Sequence, residues 1–288
     1  MSPRSEASTR LEDAIIVDEI GIESGGYGIY RLRSLYQPIF ERRGQSLHPV
    51  AVEGMAAPYL AGEQVPKDVF LTAAADDDLE FIRQLRFALP LRNLRNLEAE
   101  GVRLLIDIAM RGDAAQNLPE RVRFIAGEIE SADLEPDLVT GAMAELSTSD
   151  ARVLAAIADE MKQRGMRSAI GDFGMGRWSD EQIDILAPEM ARIDSEWFRQ
   201  VCRDAVTVRL FESVVARLHE RGVKVLVCGI EDAQQFGIAL EAGADLFQGG
   251  HLAAVGNVGS LLLDVLSVRD KLNRSDKARN LRATHQQR

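Results

Sequence analysis

An α/β barrel is the architecture this sequence points to, on three grounds. Over the second half of the chain, short apolar runs alternate with helix-patterned stretches at the rhythm of βαβ units. Parallel strands need such helical crossovers. The runs are apolar throughout instead of alternating, as strands buried on both faces are. Polar residues recur at or near the ends of the runs, just before a loop: Asp107, Asp172, Asp194, Cys228 and Gln248. An open doubly wound sheet shares the rhythm. The polar ends favour a barrel, where strand C-termini face one mouth. A chain of 288 residues fits one such barrel.

Residues 1–29 are set apart as an N-terminal extension, residues 30–256 as the barrel, and residues 257–288 as a C-terminal helix or tail. Gly101–Met110 has the aliphatic density of a buried strand. Asp150–Gly165 repeats apolar residues at helical spacing, with Asp150 placed to cap its start and Gly165 to stop it. Met166–Phe173 and Pro188–Ser195 read as strands. Residues 195–222 form one long helix or two, closed by Gly222. Val223–Ile230 is a nearly continuous apolar strand, Glu231–Gly243 a helix ending in glycine, and residues 244–250 the last strand with its exit loop. The glycines of GGYG, Gly25 to Gly28, and GMG, Gly174 to Gly176, lack the dinucleotide fingerprint and read as loop glycines.

Composition narrows the partners. Hydrophobic residues at 46% and charged residues at 27% describe an ordinary globular chain. The 45 acids outnumber 34 bases, for a net charge of -11. That balance argues against a nucleic acid polymer or an anionic membrane surface as partner. Cys202 and Cys228 have no Cys-x-x-Cys spacing, which points to a reducing compartment without disulfide or zinc. His48, His219, His251 and His285 are dispersed, with no metal-ligand spacing. No apolar run approaches the roughly 18 residues of a membrane span, and the first residues lack a signal-peptide core. A soluble, cytoplasmic protein is expected.

Seven short stretches carry the functional reading. In order they are Leu35-Tyr36-Gln37-Pro38-Ile39, Val52-Glu53-Gly54-Met55, Leu104-Leu105-Ile106-Asp107, Gly171-Asp172-Phe173-Gly174, Arg192-Ile193-Asp194, Cys228-Gly229-Ile230-Glu231 and Phe247-Gln248-Gly249. Together, over about residues 30–255, they resemble the EAL domain, the bacterial cyclic di-GMP phosphodiesterase family. The resemblance implies a TIM-like (β/α)8 barrel that cleaves a phosphodiester with two Mg²⁺ or Mn²⁺ ions. It implies Glu53, Asp107 and Asp172 as metal ligands, with Asp107 in place of an asparagine. Glu53, Asp172 and Arg192 are the implied catalytic remnants, Arg192 standing for a lysine near the attacking water. Gln37 and Gln248 stand where the family contacts the nucleotide.

Other positions depart from the family pattern. Gly141, Gly171 and Cys228 occupy places where carboxylates are expected, and a register slip on the strand at Gly141 would bring in Glu145. A neutral thiol is a poor partner for magnesium. Arginine keeps a lysine's charge but is never deprotonated. Ala57 replaces a phosphate-clamping arginine, with Arg177 and Arg192 as candidate substitutes. Hard divalent ions need several oxygen ligands. So few donors point to a pseudoenzyme with no expected cofactor, acting as a signalling adaptor or regulator near cyclic di-GMP pathways through protein contacts. The alternatives are residual hydrolysis with Mg or Mn, and a non-hydrolysing cyclic di-GMP receptor. The expected partner is another protein, with cyclic di-GMP and a homodimer as further candidates. Trp178 lies near the family's dimer contact and is offered as a partner contact, against simple packing within the barrel.

Overall fold

The computed structural model describes residues 10–97, 101–109, 117–143, 151–174, 178–261 and 263–273. Its strands are β1 (Ile15–Val17), β2 (Glu23–Tyr27), β3 (Tyr30–Arg43), β4 (Ser46–Leu60), β5 (Glu63–Gln64), β6 (Arg103–Ala109), β7 (Val139–Met143), β8 (Arg167–Phe173), β9 (Met190–Ile193), β10 (Lys224–Val227), β11 (Leu246–Phe247) and β12 (Leu266–Ser267). β4 and β6 through β11 pair in chain order, all parallel. β3 runs antiparallel to both β4 and β11 and closes the barrel. Only Gly44 and Gln45 separate β3 from β4, too few residues for a helical crossover. Gly44 takes φ +63° in this turn, where glycine has no steric cost.

The βα units follow the sequence pattern. Helix Ala151–Gln163 precedes β8, and Gly165 ends the turn at φ +71°; Asp150 lies outside the described residues. The stretch 195–222 divides into helices Ser195–Val201 and Ala205–His219. The break falls at Asp204, whose carboxylate accepts from the Val206 and Thr207 amides and caps the second helix. Gly25 and Gly26 are not loop glycines: they lie in β2, where a Cβ on Gly25 would come within 2.9 Å of Leu85.

The barrel interior fixes which residues reach the mouth. Ile39, Ala51, Leu105, Ala142, Ala169, Met190, Leu226 and Leu246, one from each barrel strand, form an inner cluster. A larger apolar cluster fills the space between strands and helices. Side chains alternate across a strand, so the inward positions two residues from this cluster include Gln37, Glu53, Asp107, Gly171, Arg192, Cys228 and Gln248. Gly141 is a correction. A Cβ there would meet Met161 at 2.9 Å and Ile108 at 3.0 Å, both members of the outer cluster. Its neighbour Ala142 is the inward residue of β7, and a one-residue slip turns a side chain to the other face.

The N-terminal segment is built onto this barrel. β1 pairs with β2, and β2 with the first part of β3, all antiparallel. Buried Asn93 accepts from the Glu23 amide and donates to the Glu23 carbonyl and the Ser34 hydroxyl, each at 2.8 Å. Arg92 donates to both Glu12 oxygens at 3.1 and 2.6 Å and to Glu128 at 2.7 Å. The Arg92 hydrogen bond holds the Glu12 carboxyl below the usual glutamate range, against an opposing effect of burial. A depressed folded-state value stabilises fully above the unfolded value and is lost as pH falls through the folded one. Acidification is therefore expected to raise amide exchange of residues 10–17, after correction for intrinsic rates, more in the wild type than in Glu12→Gln. An equal rise in both would remove the Glu12 contribution.

At the other end, β12 pairs antiparallel with β4, and the Lys271 ammonium donates to the His251 and Leu252 carbonyls at 2.8 Å. Among the described residues no helix is long and apolar enough to cross a membrane.

Candidate functional site

The mouth residues come from strand ends except Glu53, which lies midway along the long β4 at the last position paired with β6. Glu53 comes from β4, Asp107 from β6, Asp172 from β8 and Arg192 from β9, while Cys228 and Gln248 follow β10 and β11 directly. β8 is irregular between Ile170 and Phe173, and Asp172 takes φ +50°, a left-handed conformation that aspartate tolerates better than most residues. Gly249 fixes the Gln248 exit: a Cβ there would lie 2.2 Å from the Ile230 carbonyl oxygen. The Ile230 amide donates to the Gln248 carbonyl at 3.1 Å, which sets that strand end in place.

Arg192 organises the centre. Its side chain is buried, and Nη1 donates to Glu53 Oε1 at 2.7 Å. Nη2 lies 2.7 Å from Asp107 Oδ1 and 4.0 Å from Asp172 Oδ1. The Asp107 contact is an ion pair without hydrogen-bond alignment, for Asp107 Oδ1 is buried with no hydrogen-bond partner. Gln248 Nε2 donates to Glu53 Oε2 at 2.8 Å, so both Glu53 oxygens are engaged. Burial alone would lower the Arg192 pKa; Asp107, Glu53, Cys228 and Asp172 outweigh it and raise the value, keeping the guanidinium charged. Burial first, then Glu53, pushes the Cys228 thiol well above its ordinary range, against the pull of Arg192. Cys228 is thus a neutral thiol at physiological pH.

The other candidate residues divide. Gln37 stands opposite Glu53 in the β3–β4 register and donates to the Ala253 carbonyl at 3.3 Å. Gly171 is buried in β8, and its carbonyl accepts from Trp178 Nε1 at 2.9 Å. Trp178 is half-buried and packs against the main core, so its ring belongs to barrel packing. Asp194 caps helix Ser195–Val201 by accepting from the Trp197 amide at 2.7 Å. Glu231 pairs with Arg199 at 3.4 Å, on the exposed surface. Glu145 and Arg177 lie outside the described residues.

Beside the mouth lies a cavity of about 530 Å³, bordered by Glu53, Asp107, Met55 and Phe87, with Lys67 and Arg86 also lining it. Ala57 lines it too and brings no charge. No sequence signal marks Lys67 or Arg86, because their approach depends on how helices Lys67–Ala73 and Leu79–Arg92 pack beside the β3–β4 hairpin. A pair of divalent ions needs several oxygens arranged octahedrally around each. Here a permanent cation sits among the three carboxylates, and one oxygen of Glu53 is bound by an amide. As placed, these residues do not fit a divalent pair.

A closed α/β barrel with charged side chains gathered at its strand C-termini is a scaffold of the TIM-like class. The chain belongs to the EAL domain family: residues 29–254 match the EAL domain model. The probable cyclic di-GMP phosphodiesterase PdeD of Escherichia coli (strain K12) is 26% identical over 93 residues, which span 32% of this chain and 18% of that relative.

Among solved structures, a standalone versatile EAL protein from Vibrio cholerae O395 in its c-di-GMP-bound form superposes with a TM-score of 0.66 at 18% identity, covering 79% of this chain and 93% of that one. The FimX EAL domain from Pseudomonas aeruginosa, bound to c-di-GMP, gives 0.66 at 21% identity over 91% and 99% of the two chains. The Klebsiella pneumoniae BlrP1 manganese/cy-diGMP complex gives 0.63 at 20% identity over 76% and 54%. At these identities the structural likeness establishes the barrel.

Proposed function

We propose that this EAL domain is catalytically degenerate and acts as a signalling adaptor or regulator, in or near cyclic di-GMP pathways, through protein contacts. The observation that supports this reading is the Arg192 guanidinium lodged between Glu53 and Asp107 at 2.7 Å from each. Two unit charges 4 Å apart interact by about 4 kcal/mol at an effective dielectric of 20, so a divalent ion there meets about twice that repulsion. Both Glu53 oxygens are already engaged, by Arg192 and Gln248, and Asp107 is ion-paired with the same guanidinium.

The cavity beside the mouth favours a second reading, a non-hydrolysing cyclic di-GMP receptor, with Gln37 and Gln248 as nucleotide contacts and Lys67 and Arg86 facing the phosphates. Incubation with Mn²⁺ and cyclic di-GMP, with Glu53→Ala as control, tests hydrolysis. The expected result is no linear dinucleotide above the control. Mn²⁺-dependent product in the wild type that vanishes in Glu53→Ala would overturn the degenerate reading and assign residual phosphodiesterase activity. Calorimetric titration with cyclic di-GMP then separates the receptor, which gives saturable heat, from the adaptor, which gives none.

A further inference from the structure

The EAL family match begins at residue 29, so the β1–β2 hairpin lies outside it. β1 ends the sheet order: β2 covers one of its edges, and no described residue pairs with the other. An open edge presents unpaired amides and carbonyls to any extended chain, and natural proteins blunt such edges with lysine, proline, bulges or a covering element. Ile15-Ile16-Val17 has neither lysine nor proline, and all its residues are β-branched, which suits strand pairing. Ile16 is 48% exposed, Val17 57%, and Ile20 in the adjoining turn 75%. The hairpin is held firmly by Asn93 and Arg92, and the turn is fixed by Asp18 Oδ1, which accepts from the Ile20 and Ile22 amides at 3.1 and 2.8 Å.

We propose that the open edge of β1 is a strand-addition site for an apolar peptide segment of a partner protein that carries basic residues at its ends. This deepens the adaptor reading and rests on it for the existence of a partner. Charge selects the occupant. Asp13 precedes β1, and Asp18 and Glu19 follow it, while nearby Arg10 is paired with Asp78. The cavity under the hairpin balances Asp18 and Glu23 against Arg31 and Arg33, so the acidic ends set the sign along the edge. A second copy pairing antiparallel about Ile16 would bring Asp13, in the helical turn before β1, and Asp18 and Glu19, in the turn after it, beside the same acids of its partner, and like charges repel. Lysine or arginine at the ends of an incoming strand meets these acids instead, as in other edge-augmentation complexes, where main-chain bonds supply affinity and side chains supply selectivity.

The full chain is titrated with an eight-residue peptide of alternating valine and threonine ended by lysines, followed by fluorescence anisotropy and amide exchange. Its counterparts are the same peptide ended by glutamates, and lysine-ended versions N-methylated on alternate residues in either phase. The lysine-ended peptide is expected to bind at least ten-fold more tightly than the glutamate-ended one. N-methylation in one phase is expected to cost at least ten-fold, and exchange is expected to slow at residues 15–17. Val17→Lys should weaken binding at least ten-fold with an unchanged melting temperature, since Val17 is exposed.

Several results would overturn the proposal: no binding, indifference to end charge, tolerance of methylation in both phases, or protection confined to other residues. Concentration-dependent dimerisation abolished by Val17→Lys would assign the edge to a second copy. Binding seen only after deletion of residues 1–9 would assign it to the chain's own N-terminus, and either outcome also overturns the proposal. The hydrolysis assay and the cyclic di-GMP titration decide the adaptor reading separately, so the two failures are distinguishable.

Discussion

Replacing Arg192 with methionine is expected to destabilise the barrel by about 2–4 kcal/mol and to make it responsive to Mn²⁺. Removing one partner of a buried ion pair costs about 3–5 kcal/mol, because the other charge is left uncompensated. The Glu53 and Asp107 side chains are 18% and 37% exposed, so water recovers part of that loss and sets the lower range. Methionine is unbranched and fills much of the same channel without charge. With the guanidinium gone, Glu53, Asp107 and Asp172 face one another across the mouth, and a divalent cation becomes the available counter-charge. A ligand that binds only the folded state raises stability by mass action.

The measurements are urea unfolding with and without Mn²⁺. The expected outcome is a lower midpoint at constant slope for Arg192→Met, partly restored by Mn²⁺, with no Mn²⁺ effect on the wild type. Equal stabilisation of both proteins by Mn²⁺ would show that Arg192 does not exclude the ion. Arg192→Lys separates charge from shape: a lysine retains the charge but cannot span Glu53 and Asp107 with a planar fork, so it should fall between the two.

Much of the barrel is legible from local chemistry. Gly101–Met110, Met166–Phe173 and Val223–Ile230 become β6, β8 and β10 because doubly buried parallel strands must be apolar throughout. Asp107, Asp172 and Gln248 meet at one mouth because parallel strands all end on the same side. The same uniformity hides register. All five residues of β7 are buried, so nothing in their pattern distinguishes Gly141, which faces the helices, from Ala142, which faces the barrel axis. Sequence alone leaves Trp178 between a partner contact and packing within the barrel; its bond to the Gly171 carbonyl depends on how the chain turns after β8. The arginine at the centre is visible as a substitution, but its simultaneous approach to Glu53 and Asp107 joins residues 139 and 85 positions apart, which only tertiary geometry supplies. The antiparallel β3–β4 pair escapes a βα rhythm because it is the one barrel connection without a helix.

Asn93→Ala is expected to detach the N-terminal hairpin at a cost of about 2–4 kcal/mol. Asn93 is fully buried and occupies the place of a neighbouring strand, pairing both the amide and the carbonyl of Glu23. Alanine leaves those two backbone groups and the Ser34 hydroxyl without that partner, and each buried unsatisfied group costs about 1–3 kcal/mol. Peeling of the hairpin lets water reach them, so the loss is capped by the free energy of opening this segment and not by the sum. The effect should therefore be local. Amide exchange of residues 15–27 is expected to accelerate by about 30-fold to nearly 1,000-fold, as about 1.4 kcal/mol corresponds to a factor of ten, while strands β8 to β10 keep their protection. Asn93→Asp offers a sharper control, since it keeps an acceptor for the Glu23 amide but sets a carboxylate oxygen, in place of a donor, against the Glu23 carbonyl. It should open the hairpin at least as readily as alanine. Unchanged exchange at residues 15–27 in both variants would mean that β2 is held by its pairing with β3 and by Arg92 and Arg95 alone.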